Sequence, residues 1–267
     1  MDTERIVSSL WFRIQKLLPA KRSPGPKGGR PPIDDRVVLE GLVFMLQSGI
    51  PWRLFPRHFG CSASTCWRRL RDWQKQGIWE ELHALLLAEL QRRGKLRWSR
   101  ASVDSASVRA LEGGEKTGKN PTDRGRRGTK HHVLAEGRGV PLAVRTTGAN
   151  RHDVTQLEPL LDDVPPVRGQ CGRPRRAPRR LYADRAYDSE PARQALRQRH
   201  IRPYLAKRNT SHGSGLGKHR WVVDRTISWL NGFRRLRLRW ERRADIHQAF
   251  LLLAACIICI RCIWNQF

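Results

Sequence analysis

The chain has 267 residues, 39% of them hydrophobic, and carries 52 Lys+Arg against 24 Asp+Glu for a formal net charge of +28. The length admits one large domain or two ordinary ones with a proper apolar core. The charge is the footprint expected of a nucleic-acid binder, although a ribosomal-type or simply soluble basic protein would carry it too.

The charge is spread over both halves. Residues 1–95 hold 17 Lys+Arg and 9 Asp+Glu, and residues 96–267 hold 35 and 15, so both are expected to touch a polyanion. Six cysteines could suggest disulfides, but their placement argues otherwise. Cys256, Cys259 and Cys262 are spaced three apart in an apolar run, as small buried hydrophobes rather than a metal cluster, while Cys61, Cys66 and Cys171 have no motif partner. A reducing cytoplasm fits best. Asp2 and Glu4 stand where a signal peptide would be basic. The apolar run 249–260 is short of the roughly 20 residues needed to cross a bilayer, so it reads as a core helix and no membrane partner is expected.

In chain order, residues 9–18 alternate at helical spacing up to Pro19. The stretch KRSPGPKGGRPP, 21–32, cannot build a core and reads as a basic linker or an arm that lies along phosphates. Asp34 or Asp35 can cap a helix striped by Val38, Leu42 and Met45 and stopped by Gly49. After the short segment PWRLFPRHFG, Ser62 or Ser64 can cap a third helix that sets Arg68, Arg69 and Arg71 beside Trp67, Leu70 and Trp73. Two supporting helices and then a basic one is the order of a helix-turn-helix with the third helix in the major groove; a plain bundle with a solvated face has the same pattern. A leucine-striped fourth helix, 78–93, completes the core or forms a dimer contact.

From Lys95 the periodicity changes. An extended segment ends near Asp104, strands 132–136 and 142–147 form a hairpin, and the Gly- and charge-rich 111–128 reads as a mobile loop. His131 and His132 read as structural. Asp153 most simply caps the helix 154–161. Residues 168–180 hold six arginines in an irregular, phosphate-contacting tract, and a short strand then ends at Asp184. A helix 189–198 and a strand 203–206 continue the β/α alternation. The stretch 221–243 reads as a helix with Asp224 at its head and Val223, Ile227 and Leu230 on a core face. Arg234, Arg235, Arg237 and Arg239 follow as contacts to a DNA backbone. Trp229 and Trp240 suit a core better than base stacking.

Taken singly, each aspartate is more naturally a turn or helix cap. Asp104 and Asp184 at strand ends and Asp224 on a helix over the same sheet can nonetheless converge, and three carboxylates are hard oxygen ligands for divalent cations in phosphoryl transfer. The strings PPIDDRVVLEGLVFMLQSGIPWRLFP (31–56), VDSASV (103–108), GANRHD (148–153), YADRAYDS (182–189) and VVDRTISWLNGFRRLRLRWERR (222–243) occur in this order over nearly the whole chain. In them the chain resembles bacterial insertion-sequence transposases of the DDE class.

The resemblance implies an α/β fold, a ribonuclease H-like mixed sheet flanked by helices in 96–267, preceded by a small all-α helix-turn-helix domain in 1–95. It makes Asp104, Asp184 and Asp224 the catalytic, metal-binding acids, with Asp224 in place of the family's usual glutamate and Ala186 in place of a glycine. It implies two Mg²⁺ ions, with Mn²⁺ able to substitute, and an endonuclease that cuts at its element's ends and joins the freed 3′-hydroxyl to target DNA. Arg185 and Arg225, each beside an acid, are candidates to support ligands or phosphates, or to form surface salt bridges. The expected partners are terminal inverted repeats, target DNA and further copies of the chain in a dimeric or higher synaptic complex. The alternative is a catalytically impaired or domesticated DNA-binding derivative.

Overall fold

The computed structural model describes residues 3–20, 28, 31–169, 171–208 and 215–265. Most of the linker 21–32 lies outside the described residues.

The N-terminal part is helical, although its first helix starts and ends earlier than the 9–18 spacing predicts. Helix α1 (Thr3–Ile14) buries Ile6, Val7, Leu10 and Ile14. Helix α2 (Asp35–Ser48) starts at Asp34, whose carboxylate accepts from the Arg36 N–H, and ends at Gly49 in the left-handed region at φ 68°. A side chain at Gly49 would collide with the Cβ of Arg234, 2.8 Å away, so this turn must be glycine twice over. Two 3₁₀ turns, Trp52–Leu54 and Arg57–Phe59, lead to α3 (Ala63–Lys75). Ser62 caps α3 by accepting from the Thr65 N–H at 3.2 Å. Helix α4 (Ile78–Arg92) buries Leu82, Leu86 and Leu90.

A mixed sheet follows. Strand β1 (Ala101–Ala110) pairs antiparallel with β3 (Arg127–Glu136), which pairs antiparallel with β4 (Pro141–Gly148). On its other side β1 pairs parallel with β5 (Arg180–Ala183), and β5 with β6 (Arg202–Leu205). The resulting order, β4-β3-β1-β5-β6, flanked by helices, is the mixed α/β architecture that the resemblance implies. The loop expected at 111–128 contains a short strand, β2 (Gly118–Lys119), hydrogen-bonded to the start of β3. A 3₁₀ turn Asp153–Gln156 and α5 (Leu157–Asp162) precede β5; α6 (Glu190–Gln198) separates β5 from β6.

Helix α7 (Gly217–Asn231) packs on β1 and β3 and is followed by α8 (Arg234–Arg237) and the two-residue β7 (Leu238–Arg239), which pairs with the far end of β1. Helix α9 (Ala244–Ile263) is buried over nearly all its length between α4, α3, α1 and β4. A helix apolar on every face belongs in a core. At 20 residues it is longer than the apolar run suggested and meets the length of a membrane span, but 83% of its apolar window is buried within the protein.

Candidate active site

Strand β1 carries the first acid. Along one side it is zipped to β3, with Asp104 opposite Val133. Along the other it pairs only at Ala101–Ser102 with β5 and at Arg109–Ala110 with β7. The intervening residues 103–108 face a gap on that side among the described residues, and Asp104 sits in it, mid-strand rather than at a strand end. Its carboxylate accepts from its neighbour's backbone, Ser105 N, at 2.7 Å and from the Arg220 guanidinium at 3.0 Å.

Asp184 follows β5 directly and caps the 3₁₀ turn Arg185–Tyr187, accepting from Ala186 N at 2.9 Å. Asp224 lies in the middle of α7, not at its head, because the helix begins seven residues earlier at Gly217; its side chain is exposed. Asp104 feels the other two acids. Burial raises the Asp104 carboxyl to about 6, the Ser105 N–H and Arg220 oppose the rise, and the charges of Asp184 and Asp224 add to it. Asp104 and Asp184 nevertheless have their own partners, and among the described residues no group of three or more His, Cys, Asp and Glu stands close enough to hold a metal ion.

A second set of residues around Asp104 was not singled out by sequence. Asp153, assigned a capping role, instead accepts from Ser105 Oγ at 2.7 Å and from Lys130 Nζ at 3.0 Å, next to buried His132. Burial lowers the His132 imidazole to about 4 even though Asp153 pulls the other way. Tyr187, three residues after Asp184, is buried, and its hydroxyl has no hydrogen-bond partner. Burial, then the charges of Asp153, Asp104 and Asp184, push its ionisation up, so it stays a neutral phenol. The available signals were GANRHD and YADRAYDS, which contain both residues. Beside Ser105, Lys130 and Asp153 opens a polar cleft of about 750 Å³ rimmed by Arg109 and Arg237.

The arginines divide. Arg68 is exposed on α3, Arg69 pairs with Asp35 at 3.1 Å, and Arg71 pairs with Asp72 at 2.7 Å beside the Trp67 ring. Arg234 and Arg237 are exposed. Arg235 and Arg239, expected on the same DNA-facing surface, are buried at 1% and 0% exposure. Arg235 is ion-paired with Glu241 at 2.6 Å, and Arg239 donates to the carbonyls of Glu115, Lys116 and Glu241. Both are interior fasteners and cannot meet DNA. Arg225 also turns away from the acids: its guanidinium lies between the rings of Trp221 and Trp229, 4.7 and 4.6 Å from their centroids, and donates to the Arg138 carbonyl. Arg185 is half-buried beside Asp184.

Cys256 and Cys259 are fully buried, and burial pushes both thiols up. They are core hydrophobes. Cys61 and Cys66, without a motif in the sequence, face each other at 3.4 Å between sulfurs.

A mixed sheet carrying interacting acids at a gap in its central strand, on a chain of charge +28, defines a candidate enzyme of nucleic-acid phosphoryl chemistry. The comparisons narrow this. The family model "Transposase DDE domain" matches residues 99–259, more than half of the chain, and the chain belongs to that family. Residues 7–83 match a second model, "Putative transposase of IS4/5 family". The chain is 61% identical over 153 residues, 57% of its length and 71% of the relative's, to the "Putative transposase for insertion sequence element IS402" of Burkholderia cepacia. It is 47% identical over 118 residues, 43% of its length and 80% of the relative's, to an uncharacterized 16.2 kDa protein of the same element. Among solved structures, a pre-cleavage Mos1 transpososome aligns over 100% of this chain and 98% of that one, at 10% identity and a TM-score of 0.29, too slight a likeness to argue from. By its family the chain is a transposase, an enzyme that cuts DNA and transfers strands.

Proposed function

We propose that the chain cuts DNA at the ends of its own insertion element and joins the freed 3′-hydroxyl to target DNA, with Asp104, Asp184 and Asp224 as the working acids. The observation that supports the reading is the place of Asp104 in the β1 gap, held by Arg220, where the charges of Asp184 and Asp224 add to the rise that burial gives its carboxyl. Their chemistry fits divalent cations: all three offer hard oxygen donors, and Asp104 already holds a cationic group, the Arg220 guanidinium, at 3.0 Å. Mg²⁺, as two ions with Mn²⁺ able to substitute, would be held by these acids and would supply charge neutralisation at the attacking and leaving oxygens.

The chain's own residues do the rest by positioning. Exposed Arg234 and Arg237 hold the backbone of the cut strand, and Arg185, beside Asp184, steadies a phosphate. The helical part, 1–95, acts as a helix-turn-helix domain that docks α3 through Arg68, with Arg69 and Arg71 contributing once DNA competes for their acidic partners. Residues 96–267 form the catalytic domain. Two or more copies bring the inverted repeats and target DNA together, in the cytoplasm at the nucleoid.

The test is strand nicking of end-containing DNA by purified protein in Mg²⁺. Nicking that disappears in Asp104→Ala, Asp184→Ala and Asp224→Ala, with DNA still bound, is the expected result. Tight binding without nicking, converted to nicking by Asp224→Glu, would overturn it in favour of a binding-only derivative.

A further inference from the structure

Three tryptophans from three separate elements meet in one cavity of about 340 Å³: Trp52 of the first 3₁₀ turn, Trp67 of α3, and Trp240 of the segment after β7. Its inner side is fixed. The Trp52 ring packs on Phe250 with 6.0 Å between centroids, and the buried Arg235 guanidinium, paired with Glu241, lies 5.5 Å from the Trp52 centroid. Trp67 and Trp240 are only half-buried, and Arg242 and Arg243 line the same cavity as exposed residues. Arg243 is paired with Asp245 at 2.6 Å and stands 5.8 Å from the Trp67 centroid. The backbone of Arg242 is pinned, because its carbonyl accepts from Glu115 N at 2.9 Å and a side chain at Gly114 would overlap it. None of these residues belongs to the three acids or their partners.

We propose that this cavity binds the base of an unpaired nucleotide in a DNA strand, stacked on Trp67 and Trp240, with the adjoining phosphates on Arg242 and Arg243. Indole faces offer stacking to any base. A duplex hides its ring faces between neighbouring pairs, so only an unpaired base can present one. The volume lies at the low end for small-ligand sites, room for a single ring system. Two exposed guanidinium groups disfavour a cationic guest and suit a phosphodiester, which carries its charge beside an apolar ring. The cavity also continues the α3 surface, since Trp67 is next to exposed Arg68. Little base preference is expected: the polar groups on the inner side are spent on each other, with Arg235 donating to Glu241 and to the Ile50 carbonyl.

This rests on DNA as the partner and not on the acids, so the full-length protein is tested in chelator, with a fluorescent oligo-dT strand and a duplex of random sequence as probes. Trp240→Ala should weaken strand binding about tenfold, the loss of one stacked base, and leave duplex binding within about twofold. Trp240→Phe keeps a ring face and should recover most of the loss. Arg242→Ala, on an exposed side chain, should weaken strand binding a few-fold with a flatter salt dependence; it decides the matter alone if Trp240→Ala melts early. Strand binding unchanged in both alanine variants would overturn the proposal. So would an equal loss on strand and duplex in Trp240→Ala, or a loss confined to self-association in sedimentation, which would make the cavity a contact between copies. A parent that binds duplex but not the strand overturns the proposal alone, whereas one that binds neither probe overturns the DNA reading with it.

Discussion

Two carboxylates, buried Glu241 and half-buried Asp104, show how a desolvation penalty is resolved in opposite ways. Burial pushes the Glu241 carboxyl up, but a hydrogen bond from His247 and the paired guanidinium of Arg235 more than offset it, leaving it below the usual carboxylate range. The knot continues outward: His247 meets His131 at 2.8 Å between ring nitrogens, and Arg235 donates to the Ile50 carbonyl. Every charge there has an answer. At Asp104, one guanidinium and one N–H do not suffice against burial and two further acids, and the carboxyl rises to about 6. A fully answered cluster fastens α8 and α9 to β3 and α2, whereas an under-answered one keeps binding capacity in reserve.

The sharpest way to break this comparison is to remove the under-answered acid. Asp104→Ala should cut strand cleavage by about a thousandfold or more, since several kcal/mol of transition-state stabilisation go with it, while gel-shift affinity for end DNA stays within about twofold. Unimpaired cleavage would reduce Asp104 to a structural residue. Next in size is the other cluster. Arg235→Ala strands Glu241 as a buried unpaired carboxylate, and denaturant melts should show a loss of about 3–5 kcal/mol; a loss below about 1 kcal/mol would mean that the knot is dispensable.

A third substitution sets the two clusters against each other in sign. Because the folded state raises the Asp104 carboxyl from 3.8 to about 6, folding favours its protonated form. The parent therefore loses stability as pH climbs from about 4 through about 6, by up to roughly 3 kcal/mol at about 1.4 kcal/mol per unit. Asp104→Asn lacks that ionisation. Its melting curve should coincide with the parent's near pH 4 and lie above it at pH 7, the reverse of what charge removal does at Arg235. Coincidence at both pH values would show that burial does not strain Asp104.

The elements themselves were largely legible, because strands and helices announce themselves by period: β3, β4, β5, α2, α3 and α6 lie where alternation and caps put them. The family strings also picked out Asp104, which lies in the β1 gap, and the two acids whose charges reach it. What sequence could not supply was direction. Whether an arginine in RRLRLR faces water or core depends on Glu241 and on the carbonyls of residues 115 and 116, and β-register rather than local sequence brings the latter into place. Asp153 read as a cap because capping is local, while its actual partners lie on β1 and β3. Tyr187 lay within YADRAYDS but nothing local marked it, since a buried aromatic residue looks the same whether or not its hydroxyl is bonded.

The smallest expected effect tests that division of the arginines directly. Arg237 is exposed on α8 and lines the cleft that opens from Ser105 and Asp153, with its Nε tied to the Asn231 carbonyl at 2.7 Å. If it neutralises one phosphate, Arg237→Ala should weaken DNA binding only a few-fold near physiological salt and flatten the plot of log K against log salt by about one unit. Specific and random DNA should be affected alike, because a backbone contact reads no base. Arg234→Ala should behave in the same way, and neither should shift the melting temperature. Arg239→Ala should do the opposite, lowering stability through the carbonyls it leaves unpaired and changing the salt slope only as far as the fold is lost. A salt slope unmoved by Arg237→Ala and Arg234→Ala together would place the DNA elsewhere on this basic surface, since two lost phosphate contacts must release fewer counterions.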